Sequence, residues 1–351
     1  MRLNKIGIAR GMFAVILAAS IAATAPAQGR PAASARTVTD EVGRRVAVPA
    51  EVRRIVTLAP NLAEIVYALG AQDRLVGVSE YSDNPPAAKA KPNIGMPVNP
   101  NLEAVVGVKP DLVLATTAIN FAKTVDALDR LGIAVYTTDP HTVEGTLRSI
   151  TDIGAVIGAA PQADAVVAKL QARLDMLKTK LVNAEPVPVL FVVWESPLIT
   201  IGDDTFISDA MRWAGAESAI HTKRNWPQIG MEEVVKLNPD YIVYADNQMS
   251  ESGDDSSLPA DIQAAITRHL EDLRTQPVWR NLSAVREGHV AVVDDEIQVP
   301  APGLIDSIEQ LARELHPDAF AAHPHSQGLG RAPLHFRAWQ AIPEEAGSCA
   351  R

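Results

Sequence analysis

Cysteine is almost absent from this sequence: the 351 residues include one, Cys349, close to the C-terminus. A single cysteine excludes an internal disulfide and a cysteine-rich zinc site. The eight histidines are scattered, and the pair His323 and His325 falls in a tail of mostly small residues. A histidine pair there is more often a solvated surface feature than a metal site. We therefore expect neither a bound metal nor a cofactor.

Basic runs and the short motifs of common enzymes are also missing. The formal net charge is −10 at pH 7, and binding of phosphates requires clustered Lys and Arg, so nucleic acid is excluded as a partner. The sequence lacks G-x-S-x-G, H-E-x-x-H, a Walker loop and a G-x-G-x-x-G after a strand. A secreted enzyme would need Ser, His and Asp to converge without a local motif. We expect a protein that is not an enzyme.

The N-terminus has the pattern of a secretory signal peptide. Basic residues precede an apolar run at 11–23, which leads into Ala25-Pro26-Ala27. The run is short for a membrane span of ~20 residues, so cleavage after Ala27 is the expected outcome. No cysteine lies near that site, which predicts a free periplasmic protein without a lipid anchor. Residues 28–36 are expected to form a flexible leader and residues 321–351 a disordered tail.

Strand-like and helix-like segments alternate along the chain between these ends. A hairpin pattern covers residues 37–49. Strand patterns follow at 54–58, 75–78, 112–115 and 134–137, and helical patterns at 61–69, 101–108, 124–131 and 141–157. Such alternation predicts an α/β fold with mainly parallel sheets.

One long amphipathic helix interrupts the alternation. Apolar residues recur at spacings of three and four from Val166 to Leu181, with polar residues between them. The alternation restarts at Val189 and continues to about residue 320. The chain is therefore predicted to form an N-terminal lobe at 37–160, a linker helix at 161–185 and a C-terminal lobe at 186–320.

A repeated segment predicts that the two lobes are related. Residues 101–114, NLEAVVGVKPDLVL, match residues 230–243, GMEEVVKLNPDYIV, position for position. In each copy a Glu near the start of a helix, Glu103 or Glu232, is followed by a Pro-Asp turn and a buried strand. Two Rossmann-like lobes joined by one long helix would place the carboxyl ends of their strands face to face. A ligand cleft is expected between them.

With these segments, the chain resembles the helical-linker class of periplasmic binding proteins, which serve siderophore, haem and cobalamin importers. The resemblance covers roughly residues 37–316. Three segments are most similar to the cobalamin-binding members: residues 76–86, VGVSEYSDNPP, residues 101–113, and residues 225–229, NWPQI. The resemblance implies an ABC importer permease dimer as partner and a monomeric protein that delivers a corrinoid. A ferric-siderophore or haem ligand is the alternative.

The resemblance also implies which residues contact the ligand. Tyr81 matches a ring-stacking tyrosine, Trp226 a tryptophan of the other lobe, and Asp295 a ligand-contacting aspartate. Trp194 lies near an aromatic position of the family, but core packing is an equal alternative, as is a turn role for Asp295. Where the family carries a Trp before Asn-Leu-Glu, this sequence has Met-Pro-Val-Asn-Pro at 96–100. That departure affects the identity of the ligand more than the fold.

The resemblance implies that Glu103 and Glu232 bind arginines of the permease. A simpler explanation needs no partner, because a Glu in the first turn of a helix gains ~0.3–1 kcal/mol from the helix dipole. The matched positions of the two residues in the repeat favour the docking role.

Overall fold

The computed structural model describes residues 35–246 and 259–321. The predicted signal peptide at 1–27, most of the leader, His323, His325 and nearly all of the predicted tail lie outside these residues. Within the described ranges, no helix combines the length and apolar character needed to span a membrane.

The N-terminal lobe is built on a parallel sheet with the strand order β4-β3-β7-β8. Its strands are β1 (Ala35–Thr39), β2 (Arg45–Pro49), β3 (Ile55–Thr57), β4 (Leu75–Val78), β5 (Gly95–Met96), β6 (Asn99–Pro100), β7 (Leu112–Thr116) and β8 (Val135–Thr138). Its helices are α1 (Pro60–Ala68), α2 (Leu102–Gly107), α3 (Ala122–Arg130) and α4 (Val143–Ile157). β1 and β2 form the predicted hairpin, and β5 and β6 form a second, shorter one.

The C-terminal lobe repeats this plan after the long helix α5 (Ala160–Lys180), with the sheet order β12-β9-β13-β14. Its strands are β9 (Val187–Val192), β10 (Trp194–Glu195), β11 (Leu198–Ile199), β12 (Ala216–Ser218), β13 (Tyr241–Asp246) and β14 (Val290–Asp294). Its helices are α6 (Phe206–Trp213), α7 (Met231–Leu237), α8 (Pro259–Thr275), α9 (Ser283–Glu287), α10 (Leu304–Leu315) and α11 (Pro317–Phe320). All pairings within the two four-stranded sheets are parallel, which confirms the predicted class.

Two predicted boundaries are corrected. β1 begins at Ala35, inside the predicted leader, because Ala35 and Arg36 pair with Pro49 and Val48. The long helix ends at Lys180 rather than at residue 185, because the amide of Ala184 donates to the carbonyl of Leu181 in a turn that reverses the chain toward β9.

The repeated segment forms a short helix followed by a strand in both lobes. Val105 of α2 and Val234 of α7 occupy matching positions, and both are buried under their sheets. Lys109 and Asn238, also matched, lie just after these helices and have positive φ values of 46° and 43°. The likeness of the two copies in sequence therefore extends to their backbone.

One hydrophobic core runs through both lobes on the linker side of the sheets. It contains buried residues of α1, α4, α5, α6 and α10, together with residues from both sheets. Leu170, Leu174 and Leu177 of the predicted stripe are buried in it. Separate cores lie on the other faces, one under α2 and α3 and one under α7, α8 and α9. The linker side is therefore packed continuously across both lobes.

Candidate ligand-binding cleft

The loops that follow the parallel strands meet at the carboxyl edge of each sheet, where open α/β sheets bind ligands. In the N-terminal lobe, Tyr81 follows β4. In the C-terminal lobe, Trp194 lies two residues after the end of β9, Trp226 lies in the loop before α7, and Asp295 follows β14. All four predicted ligand residues therefore lie in the segments that follow the parallel strands, Trp194 in the short strand β10 and Asp295 in a 3₁₀ turn.

Hydrogen bonds within the N-terminal lobe fix the loop of Tyr81. The amide of Ser79 donates to the carbonyl of Thr57, and the amide of Glu80 donates to the carbonyl of Gly95. Tyr81 itself has a φ of 65°, a left-handed conformation that costs a residue other than glycine of order 1 kcal/mol. Packing of the ring does not compensate for this cost, because the side chain is exposed. Strain of this kind is concentrated at ligand sites.

The aromatic residues of the C-terminal lobe are also exposed. Trp194 lies in the β10–β11 hairpin, where its indole N–H donates to the carbonyl of Ser196 at 2.9 Å. The exposed fractions are 61% for Tyr81, 61% for Trp194 and 54% for Trp226. Core packing, the alternative explanation for Trp194, is therefore wrong. Ligand contact stays a prediction for these residues.

The loop that carries Trp226 packs against the segment after β11. The amide of Thr200 donates to the carbonyl of Pro227, and the amide of Gly202 donates to the carbonyl of Asn225. A Cβ atom at Gly202 would lie 1.9 Å from the carbonyl oxygen of Arg224. Only glycine fits there, so residue 202 sets how closely the Trp226 loop approaches the lobe.

Asp295 begins a 3₁₀ turn at residues 295–298. The neighbouring side chain of Asp294 accepts a hydrogen bond from the amide of Glu296 at 3.0 Å and caps this turn. The capping role that a turn residue would have therefore belongs to Asp294. Asp295 is half-buried, and its predicted contact with a ligand stays a prediction.

The two lobes are joined beside the cleft by a cluster of polar contacts. The amide of Gly303 donates to Glu64 Oε1 at 2.7 Å, and Asn61 Nδ2 donates to the carbonyl of Pro300 at 3.3 Å. Asn84, in the loop of Tyr81, donates to Glu296 Oε1. The loop that carries Tyr81 is thus linked directly to the turn that begins with Asp295.

Glu64 and Glu296 form an interacting acidic pair in this cluster. Burial between the lobes raises the pKa of Glu64, and nearby Asp306 and Asp294 raise it further, against the hydrogen bond from Gly303. Burial also raises the pKa of Glu296, and the charge of Glu64 is the next largest cause. Mutual repulsion of two desolvated carboxylates favours the protonated form of this pair at neutral pH.

Glu103 and Glu232 occupy matching exposed positions, each in the first turn of its short helix. Asn101 caps α2 by accepting a hydrogen bond from the amide of Ala104 at 3.1 Å. The structure thus keeps both carboxylates accessible to a partner, one on each lobe, and their docking role stays a prediction.

The sequence analysis missed three exposed apolar side chains at the edge of the N-terminal lobe. Met96 and Val98 lie on the β5–β6 hairpin, and Phe121 lies between β7 and α3. The sequence signal for Met96 and Val98 was the departure from the family pattern at 96–100. Phe121 belongs to no motif, and its only signal is a large apolar residue placed just after a buried strand.

Comparisons with known proteins identify the family of this chain. The sequence profile described as periplasmic binding protein matches residues 55–297. A substrate-binding lipoprotein of an ABC transporter, YvrC of Bacillus subtilis, is 31% identical over 293 residues, which are 81% of this chain and 86% of the relative. The vitamin B12-binding protein of Vibrio campbellii is 30% identical over 67% of this chain and 87% of its own length.

A solved structure shows a similar arrangement. The periplasmic vitamin B12 binding protein BtuF of Vibrio cholerae superposes with a TM-score of 0.62 at 26% identity, covering 77% of this chain and 99% of that protein. The profile match spans well over half of this chain, and its ends fall in β3 and in the turn that begins with Asp295. The chain therefore belongs to the periplasmic binding protein family and is the substrate-binding component of an ABC transporter.

Proposed function

We propose that this protein binds a corrinoid in the cleft between its lobes and delivers it to the permease of an ABC importer. The observation that carries the proposal is the set of exposed rings: Tyr81 in one lobe, and Trp194 and Trp226 in the other. Aromatic residues make up 5% of the sequence. Three of them are nevertheless exposed near the carboxyl edges of the sheets, where they contribute little to core packing. A flat, largely apolar macrocycle is the ligand that such rings would cover.

The names of two relatives support the corrinoid in particular. The Vibrio campbellii relative is a vitamin B12-binding protein, and so is the protein of the Vibrio cholerae structure. Asp295 would add a polar contact at the rim of the ring system. A hydrogen-bond acceptor there suits the amide groups that surround a corrin.

Haem or a ferric siderophore is the competing ligand. The exposed phenol of Tyr81 could bind iron directly, as tyrosine does in some haem proteins. The decisive experiment is an absorbance spectrum of the purified protein after incubation with cobalamin, haemin or a ferric hydroxamate, followed by gel filtration. We expect cobalamin alone to co-elute in a 1:1 ratio. Co-elution of haemin or the ferric hydroxamate in its place would overturn the corrinoid assignment.

Export of a free protein into the periplasm is part of the proposal. The N-terminal pattern ending at Ala27 supports cleavage there, whereas the Bacillus subtilis relative is named a lipoprotein. N-terminal sequencing of the native protein should begin at Gln28. A membrane fraction that retains an intact Met1 would contradict this.

Docking on the permease is assigned to Glu103 and Glu232. Each lobe carries one of these carboxylates at the same place, in the first turn of its matching helix. A permease built from two copies of one chain would offer an identical basic site to each lobe. Charge pairs of this kind govern orientation and the rate of association more than affinity.

A further inference from the structure

The missed apolar residues lie on connected segments of the N-terminal lobe. Phe121 follows the carboxyl end of β7, and Met96 and Val98 border the turn of the β5–β6 hairpin. The carbonyl of Gly95 on that hairpin accepts the amide of Glu80, which directly precedes Tyr81. The three missed side chains and the ring of Tyr81 therefore lie on segments that are hydrogen-bonded to the same sheet edge.

A single buried side chain, Asn120, connects these segments. Its Nδ2 donates to the carbonyl of Leu58 at 3.0 Å and to the carbonyl of Pro97 at 2.9 Å. Its Oδ1 accepts the amide of Thr116 at 2.8 Å. Asn120 therefore uses both donors and its acceptor to join the end of β3, the β5–β6 hairpin and the end of β7. Breaking these bonds would leave buried carbonyl groups without partners.

We propose that Phe121, Met96 and Val98 form an apolar wall that contacts the transported ligand, and that Asn120 is the positioning residue that holds the wall in place. The wall takes the role of the aromatic residue that the family carries before Asn-Leu-Glu. This proposal depends on the proposed function in one respect, because it takes the cleft as the binding site. The wall favours a ligand with a largely apolar face, because a polar group buried against these three side chains would lose its hydrogen bonds to water.

Lys123 supports this arrangement of the wall. Its Nζ lies 5.1 Å from the centre of the Phe121 ring, within the range of a cation–π contact. The contact restrains the ring, yet 51% of Phe121 stays exposed. That exposed part is the area the ligand would cover.

The protein offers a matched control for Phe121 on the same helix. Phe121 precedes α3 and Leu131 follows it, and Leu131 is 59% exposed. Leu131 lies at the opposite end of the helix, away from the carboxyl edge. We expect Phe121→Ala to weaken binding of cobalamin about tenfold, measured by calorimetric titration, a loss equal to about 1.4 kcal/mol. Leu131→Ala should change it less than about twofold, within the usual range for exposed side chains. Equal affinities of the two variants for cobalamin would refute the proposal that Phe121 contacts the ligand.

The apolar wall can be tested separately even if the corrinoid assignment fails. If the wild type binds haemin or a ferric hydroxamate rather than cobalamin, the same two variants are titrated with that ligand, and the tenfold criterion is unchanged. If none of the three binds, 1-anilinonaphthalene-8-sulfonate serves as an apolar probe. Its fluorescence should fall in Phe121→Ala and not in Leu131→Ala, and an equal signal in both would refute the wall.

The positioning role of Asn120 is tested by a double-mutant cycle. Asn120→Asp keeps the acceptor for Thr116 and removes both N–H donors. Amide hydrogen exchange should accelerate at residues 96–101 and 116–121, and affinity should fall several-fold in the wild-type background. In the Phe121→Ala background the loss should be clearly smaller, because residues that act together are not additive. The same loss in both backgrounds would show that Asn120 supports the fold alone.

Discussion

Replacement of Glu296 by Gln should reduce the sensitivity of the protein to alkaline pH. The pKa of Glu296 is raised by burial, by Glu64 and by Asp294 and Asp306. Above the ordinary glutamate pKa, the unfolded chain releases this proton while the folded chain retains it. Stability therefore falls as pH rises and stops falling once the pH exceeds the raised pKa. A glutamine at this position has no proton to release, and its side-chain oxygen still accepts the hydrogen bond from Asn84.

The size of the effect follows from linkage. One pKa unit corresponds to about 1.4 kcal/mol, so Glu296 contributes at most roughly 2–3 kcal/mol of lost stability between pH 5 and pH 7. Residual solvent screening lowers this upper bound, and we expect about 1–2 kcal/mol, a change in Tm of about 1–3 °C for a chain of this length.

Thermal melts of the wild type, Glu296→Gln and Glu144→Gln between pH 5 and pH 9 measure this difference. Glu144 is an exposed glutamate of α4, so Glu144→Gln should follow the wild-type curve. Glu296→Gln should match the wild type near pH 5 and exceed it in Tm at pH 8. If the curves of wild type and Glu296→Gln are parallel across this range, the pair is ionised in the folded protein and the reasoning fails.

Trp226→Ala should weaken ligand binding by one to two decades in calorimetric titration while the Tm changes little, because burial of ~100 Å² of apolar surface stabilises a complex by about 2.5 kcal/mol. A large fall in Tm with unchanged affinity would contradict this. Glu103→Arg with Glu232→Arg should abolish uptake by cells and leave affinity in solution unchanged, and loss of both properties would assign these residues to the fold. Asp40→Ala should lower the free energy of unfolding by about 2–3 kcal/mol in urea denaturation. Asp40 is buried and forms an ion pair with Arg44 at 2.7 Å. A decrease below about 0.5 kcal/mol would show that this ion pair does not contribute to the free energy of unfolding.

The sequence by itself determined the architecture, because the residue patterns that predict it lie within short segments and recur in both halves of the chain. The period of the stripe through Leu170, Leu174 and Leu177 predicted the long helix, and the match between residues 101–114 and 230–243 predicted two related lobes. The Pro-rich and polar surroundings of Tyr81 and Trp226 predicted loops at the cleft edge, and the structure confirms that both residues lie on exposed loops.

Only the tertiary structure decided how the lobes are held together beside the cleft. Glu64 and Gly303 are separated by 239 residues, and Asn84 and Glu296 by 212. Each of these residues looks ordinary in its own segment. The pKa of Glu296 is raised because folding brings Glu64 and two aspartates near it in a space with little water. Proximity between distant segments depends on the whole packing arrangement, which no local pattern of residues records.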